Sequence, residues 1–252
     1  MGSGTIPVTP VLGAVVVLLL VAAAAVVRLG GFARHWAVIT AGLRGAAQLL
    51  LVSLIITSVV RWSWLVAAFI VVMFAIAART AGRRITGNRT WWWAAVPIAA
   101  GVAPVAGVLL ATRAVPLTGL VLIPLIGQLI GGALTATALA GRRLLDELAQ
   151  RSGEVEAALS LGLSERDSRL EIARPVAGTA LVPALDQTRT VGMVTLPGAF
   201  VGMLLGGASP LQAGAVQLFV LVGLLAVEAV AIAAVLEIVA RGLVTRPAAH
   251  QP

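Results

Sequence analysis

The side chains of this sequence that could do chemistry are a few polar groups set within long apolar stretches. Charged and amide groups are costly inside a lipid bilayer, so those that occur there are candidates for a transport path. The candidates are two spaced pairs and a single carboxylate: Arg44 with Gln48, Asp186 with Arg189, and Glu228. Because residues three or four apart share one face of a helix, each pair could act together on a solute or an ion.

Each candidate also has a structural interpretation, and both interpretations stay open at this point. Arg44 is close enough to a predicted membrane edge for its guanidinium to reach water while its methylene groups stay in lipid. Asp186 and Arg189 could simply neutralise each other. Glu228 lies in the middle of an apolar run, so its carboxylate must be protonated, paired with another helix or turned toward a cavity.

No catalytic constellation stands out in the sequence. It has no Cys and only two His, so a thiolate site or a His-based metal or acid–base site has little to build on. It has no Lys, and hence no phosphate-binding loop of the type G-x-x-x-x-G-K-[ST]. We therefore predict no catalytic residues, no metal site and no cofactor. If the protein works with ATP, another polypeptide must hydrolyse it, because this chain has no phosphate-binding loop.

The composition is that of a membrane protein. The chain is 60% hydrophobic and 11% charged, with a mean hydropathy of +1.03. Separate apolar runs of about 20 residues predict an all-α polytopic fold in the lipid bilayer. We predict about seven transmembrane helices, at about residues 11–27, 37–60, 63–78, 91–111, 117–140, 187–206 and 211–240.

The sixth of these predicted helices lies in a run that is too long for one span. Residues 176–207 would form a helix of about 48 Å, whereas the hydrocarbon core is about 30 Å thick. Pro183 and Pro197 offer two breaks. We therefore predict a short interfacial segment over 176–185, followed by a span over 187–206. The residues after Arg241 are predicted to form a short disordered tail.

The arginines orient the predicted helices. Fourteen of them fall in the first, third and fifth loops and at the C-terminus, whereas the alternate loops hold only Arg61 and Arg113. Cytoplasmic loops carry the excess of positive charge, so the N-terminus is predicted outside and the C-terminus in the cytoplasm of a plasma or inner membrane. The net charge of +8 is thereby explained by topology, and we predict no nucleic-acid partner.

A charged loop at about 141–175, between the fifth and sixth helices, is the largest polar segment. It holds seven of the ten acidic residues of the chain. Val155, Ala158 and Leu159 share a face at helical spacing, Gly162 could end that helix, and Ser164 could cap the next one before Pro175. The loop is predicted to be cytoplasmic and to contact a soluble partner; the alternative is an ordinary amphipathic loop helix.

The spacing within this loop resembles the "EAA" loop of ABC-transporter membrane subunits. Glu156-Ala157-Ala158 is followed after three residues by Gly162, and after nine more by Ile172 and then Pro175. In those subunits the loop forms a short coupling helix that docks into the ATP-binding subunit. The resemblance implies this role for five residues: Glu154, Glu156, Ala157, Ala158 and Gly162.

Further motifs resemble the FetB/YbbM-type ABC permeases, linked to iron export, and the plant ALS3/STAR-type membrane subunits. The matching stretches are Arg44-x-x-x-Gln48-Leu49, Pro124-x-x-Gly127-x-x-x-Gly131, Gly192-x-Val194-x-Leu196-Pro197-Gly198-x-x-x-Gly202 and Ala208-x-Pro210. We expect Pro124, Gly127, Gly131, Pro197, Gly198 and Gly202 to break helices or to let them pack closely. The chain departs from the family at Gly132 and Asp186, where Asn is usual, and at Glu228.

The resemblance implies a single transmembrane permease domain over 1–252. It would work as a homodimer with two copies of a separate ATP-binding subunit, and it would export a metal, with iron first. Export of a nucleotide sugar or another organic solute stays open as an alternative. A stand-alone secondary transporter is a second alternative, since Glu228 could carry a proton, although the sequence shows no clear internal repeat.

Overall fold

The computed structural model describes residues 9–113 and 115–245. These residues form two compact units, one that ends at Trp62 and one that begins at Ser63. The first contains α1 (Pro10–Gly30) and α2 (His35–Val59). The second contains α3 (Ser63–Ile85), a 3₁₀ turn (Arg89–Ala94), α4 (Ala95–Thr112), α5 (Gly119–Gln150), α6 (Ser152–Ser160), α7 (Glu165–Ala177), a 3₁₀ turn (Gly178–Ala180), α8 (Val182–Thr190), α9 (Gly198–Leu205) and α10 (Pro210–Ala240).

The first unit is a pair of apolar helices that pack on each other. The side chain of Thr9 accepts a hydrogen bond from the Leu12 amide and so begins α1, and Gly31 ends it in the left-handed conformation. Gly42 of α2 lies so close to Leu20 of α1 that a Cβ at Gly42 would come within 2.7 Å of the Leu20 side chain. Most other side chains of both helices are exposed, as expected for surfaces that face lipid.

The core of the second unit lies between α3, α4, α5 and α10. Ile98, Leu129 and Val227 are almost completely buried there. Small residues let the helices approach closely, and Ala133 and Ala231 have no exposed surface at all. This use of small side chains is typical of helix packing in membranes, where apolar burial alone gives little net drive.

Gly101 marks the closest approach of α4 to α10 and gives a stability prediction. A Cβ at this position would lie 2.5 Å from the backbone oxygen of Val227, which cannot move without shifting α10. We expect Gly101→Ala to lower the free energy of unfolding by about 1–3 kcal/mol, the usual cost of overpacking. Thermal unfolding in detergent measures this. Gly107→Ala is the matched control, because a Cβ there meets nothing within 4 Å; equal stability of the two variants would contradict the packing described.

The described residues contain six helices that are long and apolar enough to cross a membrane. They are the segments Pro10–Gly30, His35–Val59, Ser63–Ile85, Arg89–Thr112, Gly119–Gln150 and Pro210–Ala240. They correspond to the first five predicted spans and the last one. α5 continues ten residues beyond its predicted end at 140, so the first part of the predicted loop is helical.

The predicted sixth span over 187–206 is not a single helix. The chain forms two short helices there, α8 and α9, separated by the non-helical residues 191–197. Gly192 adopts a left-handed φ of +83° and its amide donates to the Thr195 oxygen at 2.8 Å, which closes a tight turn. Pro197 has an extended conformation and no N–H to continue a helix, so α9 begins only after it.

The predicted disorder after Arg241 is also wrong for the part of this segment that the structure describes. Val244 is 4% exposed. The Thr245 oxygen accepts hydrogen bonds from Thr86 Oγ1 at 2.8 Å and from Asn88 Nδ2 at 2.7 Å. These contacts fix residues 242–245 against the turn after α3; the rest of the predicted tail lies outside the described residues.

Candidate functional site

The corner between α5 and α6 is held by an ion-pair network. The guanidinium of Arg151 donates to Glu147 Oε1 at 3.2 Å and to both carboxylate oxygens of Glu154. The hydrogen bonds from Arg151 lower the pKa of Glu154, and those to Glu154 and Glu147 raise the pKa of Arg151. Glu154, predicted to couple to a partner, is therefore engaged within the chain and fixes the direction in which α6 leaves α5.

Helix α6 is exposed along its length. It has no buried residue, and only Val155 and Ala158 are half-buried. Glu156 and Ala157 face solvent. The turn that follows exposes apolar side chains, of which Leu161 is 82% exposed. We call residues 154–163 the α6 surface. It combines exposed carboxylates with exposed apolar groups, and its contact with a partner stays a prediction.

Gly162 ends α6 through its backbone conformation. It has a φ of +90°, and its amide donates to the Leu159 oxygen at 2.9 Å while that of Leu163 donates to the Ala158 oxygen at 3.2 Å. Only glycine adopts this φ without strain. A Cβ at Gly162 would meet nothing within 4 Å, so the constraint is conformational and not steric. The prediction that Gly162 ends this helix is confirmed.

Helix α7 begins at the predicted cap and then packs into the second unit. Ser164 Oγ accepts a hydrogen bond from the Asp167 amide at 3.1 Å. Ser168 and Ala173 are completely buried, and Ala173 belongs to an apolar cluster with residues of α5 and α10. Pro175 lies inside α7 and does not end it, because the helix runs on to Ala177. The charged loop is therefore anchored by an apolar face.

Charged side chains tie α7 to the last turn of α10. Arg166 Nε and Nη2 donate to the two carboxylate oxygens of Glu237 at 2.7 and 2.8 Å. Arg169 Nη1 donates to the Ala240 oxygen at 3.2 Å, one of the carbonyls left free at a helix C-terminus. The hydrogen bonds to Glu237 raise the pKa of Arg166. A movement of α7 would therefore pull directly on α10.

This link gives a prediction that separates coupling from stability. The Arg166 and Glu237 side chains are partly exposed, so water screens the pair and it should contribute little to stability. For the transport role that the sequence predicts, we expect Arg166→Ala and Glu237→Gln each to reduce transport several-fold with little change in thermal unfolding. The double variant should be little worse than Glu237→Gln alone, because both changes break the Arg166–Glu237 contact and Glu237→Gln also weakens the contact of Glu237 with Arg241 Nε at 2.6 Å. Additive losses in a double-mutant cycle would contradict the link.

A polar cleft lies further along α10, between α5, α8 and α10. Its volume is about 380 Å³. The polar side chains that line it are Gln128, Thr135, Gln187 and Glu228. Glu228 is the one acidic residue among the described residues that line this space. We call it the Glu228 cleft; the structure thus gives this carboxylate the cavity that its position within an apolar helix requires.

Gly132 makes room for the Glu228 carboxylate. A Cβ at Gly132 would lie 2.9 Å from Glu228 Oε1 and 2.7 Å from Leu224 Cδ2. Any side chain at this position would therefore compete with the carboxylate for the same space. The neighbouring Gly131 also lines the cleft, and a Cβ there would meet nothing within 4 Å. The two glycines form a smooth wall of the cleft opposite Glu228.

The other predicted pathway residues do not line the Glu228 cleft. Asp186 and Arg189 form an exposed ion pair on α8, with an oxygen–nitrogen distance of 3.7 Å, as their spacing suggested. Gln187 between them faces the cleft instead. Arg44 and Gln48 lie in the first unit, on α2, and both are exposed. Their role in transport stays a prediction.

Three cleft residues were not predicted from the sequence. Gln128 and Thr135 are seven residues apart on α5, so both fall on the face that carries Gly131 and Gly132. An amide in an otherwise apolar helix was the signal that could have found Gln128. Gln187 could not be found in this way, because its orientation depends on where α8 ends.

The predicted small and helix-breaking residues have different surroundings. Pro124 lies inside α5, and a Cβ at Gly127 would come within 2.5 Å of Met73 Cε, so Gly127 does allow a close helix contact. Gly198 and Gly202 of α9 have no atom of the described chain within 4 Å of a Cβ position. Close packing at these two glycines therefore stays a prediction.

No group of three or more His, Cys, Asp or Glu comes together among the described residues. The Glu228 cleft offers one carboxylate, two carboxamides and one hydroxyl. The Thr135 hydroxyl already donates to the Gly131 oxygen at 3.0 Å, which leaves its lone pairs to accept. Such a lining suits a solute that donates hydrogen bonds or carries positive charge.

Comparison with known proteins identifies the family. Residues 11–244 match the uncharacterised protein family UPF0014, and the chain belongs to this family. The UPF0014 membrane protein STAR2 of rice (Oryza sativa subsp. japonica) is 36% identical over 160 residues, 63% of this chain and 56% of the rice protein. The Arabidopsis thaliana protein ALUMINUM SENSITIVE 3 is 35% identical over 159 residues, 63% of this chain and 58% of its own length.

A bacterial relative carries a functional name. FetB of Escherichia coli (strain K12), named a probable iron export permease protein, is 28% identical over 126 residues, 50% of this chain and 48% of FetB. The chain thus spans little more than half the length of the plant relatives it matches. No solved structure matches it. The resemblance to FetB/ALS3-type permeases is confirmed, and the chain is a membrane protein of a permease family.

Proposed function

We propose that this protein is the membrane-spanning subunit of an ABC transporter. The observation that carries the proposal is the α6 surface: an exposed helix, ended by a left-handed glycine, that directly follows α5, one of the helices that line the Glu228 cleft. An ATP-binding subunit would cover this surface and supply the hydrolysis of ATP. The relationship to a probable iron export permease supports the same function.

The contacts suggest how a conformational change in the ATP-binding subunit would reach the substrate. The partner would move α6 and α7, and the Arg166–Glu237 pair would pass that movement to the end of α10. Glu228 lies nine residues before Glu237 on the same helix, about 13 Å along its axis. A tilt of α10 would therefore widen or narrow the Glu228 cleft and expose it to alternate sides of the membrane.

The proposed substrate is a metal cation, iron first, and the proposed direction is export. The relationship to FetB, named a probable iron export permease protein, and the carboxylate in the cleft support this. With one carboxylate and three uncharged polar groups, the cleft suits a cation that keeps part of its water shell. The same amides and hydroxyl would also bind a hydroxylated organic solute such as a nucleotide sugar, which is the second candidate.

We further propose a homodimer with two ATP-binding subunits, in the plasma or inner membrane. The arginine distribution supports an outer N-terminus and a cytoplasmic C-terminus, so that α6 would face the compartment that contains ATP.

Reconstitution with and without the ATP-binding subunit tests the proposed function. We expect purified protein in liposomes to move ferrous iron only when the ATP-binding subunit and ATP are on the α6 side. Replacing ATP by a non-hydrolysable analogue should stop the flux. Flux without the ATP-binding subunit, driven by a proton gradient, would instead identify a secondary transporter and would contradict the proposal.

A further inference from the structure

A second cavity lies against α10, at the end of the helix away from α7. It has a volume of about 270 Å³ and is bordered by the break between α8 and α9, by Phe200, and by Gln217 and Leu221 of α10. We call it the outer cavity. Gln217 belongs to none of the sequence motifs that predict a function.

Gln217 is an unusual residue for an apolar wall. It is 4% exposed, and neither its side-chain oxygen nor its nitrogen has a hydrogen-bond partner in the described chain. An amide buried without partners destabilises a protein, more so in surroundings that contain no water. A buried polar group of this kind is explained when a partner arrives in another state of the protein.

The other wall of the outer cavity is irregular backbone. Residues 191–197 interrupt the run of helix between α8 and α9, with Gly192 in the left-handed conformation. Non-helical backbone at membrane depth is tolerated where it lines a cavity, and interrupted helices place carbonyl and amide groups at the substrate sites of many transporters. The interruption and Gln217 line the same cavity, so in a state that uncovers the buried Gln217 amide both walls would offer hydrogen bonds to one ligand.

The outer cavity and the Glu228 cleft lie along the same face of α10. Gln217, Leu221, Leu224 and Glu228 follow each other at spacings of four, three and four residues, which is the repeat of one helix face. Gln217 and Glu228 are therefore about 16 Å apart along the axis. Leu221 and Leu224 between them are 1% and 6% exposed. They form an apolar barrier between the two cavities.

We propose that Gln217 and residues 191–197 form a second substrate site, separated from the Glu228 cleft by Leu221 and Leu224. This rests on the proposed transport function and gives the path two steps along α10. The site carries no charge, so its ligand presents O–H groups, either the water shell of a metal cation or the hydroxyls of an organic solute. Opening of the Leu221–Leu224 barrier would transfer the substrate from one site to the other.

Gln217→Leu separates a binding role from a structural one. Leu has a similar volume and no unpaired polar atom, so this variant should unfold at a higher temperature than the wild type. We expect its KM for ATP-driven transport to rise about tenfold, the loss of hydrogen bonds to the ligand. Thr137→Val is the matched control: Thr137 Oγ1 is also buried without a partner, on α5, and it lines neither cavity.

Transport by the wild-type protein is measured with ferrous iron in one assay and with UDP-glucose in the other. The compound that is transported shows whether the O–H groups belong to the water shell of a metal cation or to an organic solute. The control Thr137→Val is expected to be more stable than the wild type and to keep the wild-type KM. The same result for Gln217→Leu would overturn the proposal. Lower stability would also overturn it, since Gln217 would then have a structural partner. Wild-type flux without the ATP-binding subunit would contradict the proposed function alone and would leave the comparison of KM values valid.

A second measurement needs no substrate. Gly214 lines the outer cavity, and the chain has no native Cys, so Gly214→Cys gives a single label site. A non-hydrolysable ATP analogue keeps the ATP-binding subunit in its ATP-bound state. In that state, an impermeant maleimide should label the cysteine of the Gly214→Cys variant from the extracellular side. Labelling from the cytoplasmic side in that state, or from neither side in any nucleotide state, would overturn the outer site.

Discussion

Gly162→Val is expected to reduce transport at least about tenfold while the complex still hydrolyses ATP. A β-branched residue cannot adopt the φ of +90° at this position without about 1–3 kcal/mol of strain. The chain would relieve the strain by changing the turn after α6, and the α6 surface would then no longer transmit movement to α7. ATPase and transport rates measured on the same proteoliposomes give the coupling ratio.

Gly153→Ala is the control for this prediction. Gly153 lies in the same helix, has an ordinary helical conformation and has no neighbour within 4 Å of a Cβ position. Alanine there should stabilise α6 slightly and leave the coupling ratio unchanged. A Gly162→Val protein that transports at the wild-type rate would contradict the docking role of α6.

Gly132→Val is expected to have a comparable effect by a different route. Its side chain would occupy the space of Glu228 Oε1 and Leu224 Cδ2, which lie 2.9 and 2.7 Å from the Cβ position. The carboxylate would be displaced and the Glu228 cleft narrowed. We expect transport to fall at least about tenfold, because one misplaced group in a binding site costs this much. Substrate should also no longer stimulate the ATPase, whereas basal ATP hydrolysis should persist.

Two variants control for this second prediction. Gly107→Val adds the same side chain to an exposed position of α4 without neighbours, and it should leave transport unchanged. Glu228→Gln keeps the shape of the side chain and removes its charge. A large loss of transport in this variant would show that the substrate interacts with the negative charge of Glu228. Unchanged transport would show that Glu228 only packs between helices.

Much of the fold could be predicted because membrane helices follow from composition. The ends of α2, α4 and α10 agree with the predictions to within a few residues, since an apolar run of sufficient length has few alternatives to a helix. Gly162 and Ser164 were also predictable, because the conformations they adopt favour those residue types.

The remaining features depend on contacts that a linear pattern does not contain. Pro197 marked a possible break in the sequence, but the length of the non-helical segment 191–197 also depends on the left-handed turn at Gly192, which a hydropathy pattern does not record. The lining of the Glu228 cleft depends on which face of α5 packs against α10. Gln128 lines the cleft because it lies on that side of α5. The Arg166–Glu237 pair joins residues 71 positions apart and has no local signal in the sequence.

The central claim is that the α6 surface faces the cytoplasm, where an ATP-binding subunit can cover it. Ser160 is exposed at the end of α6, so Ser160→Cys provides a label site in a chain without native Cys. We predict that an impermeant maleimide labels it in inside-out vesicles and not in intact cells, whereas Arg61→Cys shows the reverse. Labelling of Ser160→Cys in intact cells would place α6 outside and contradict the account.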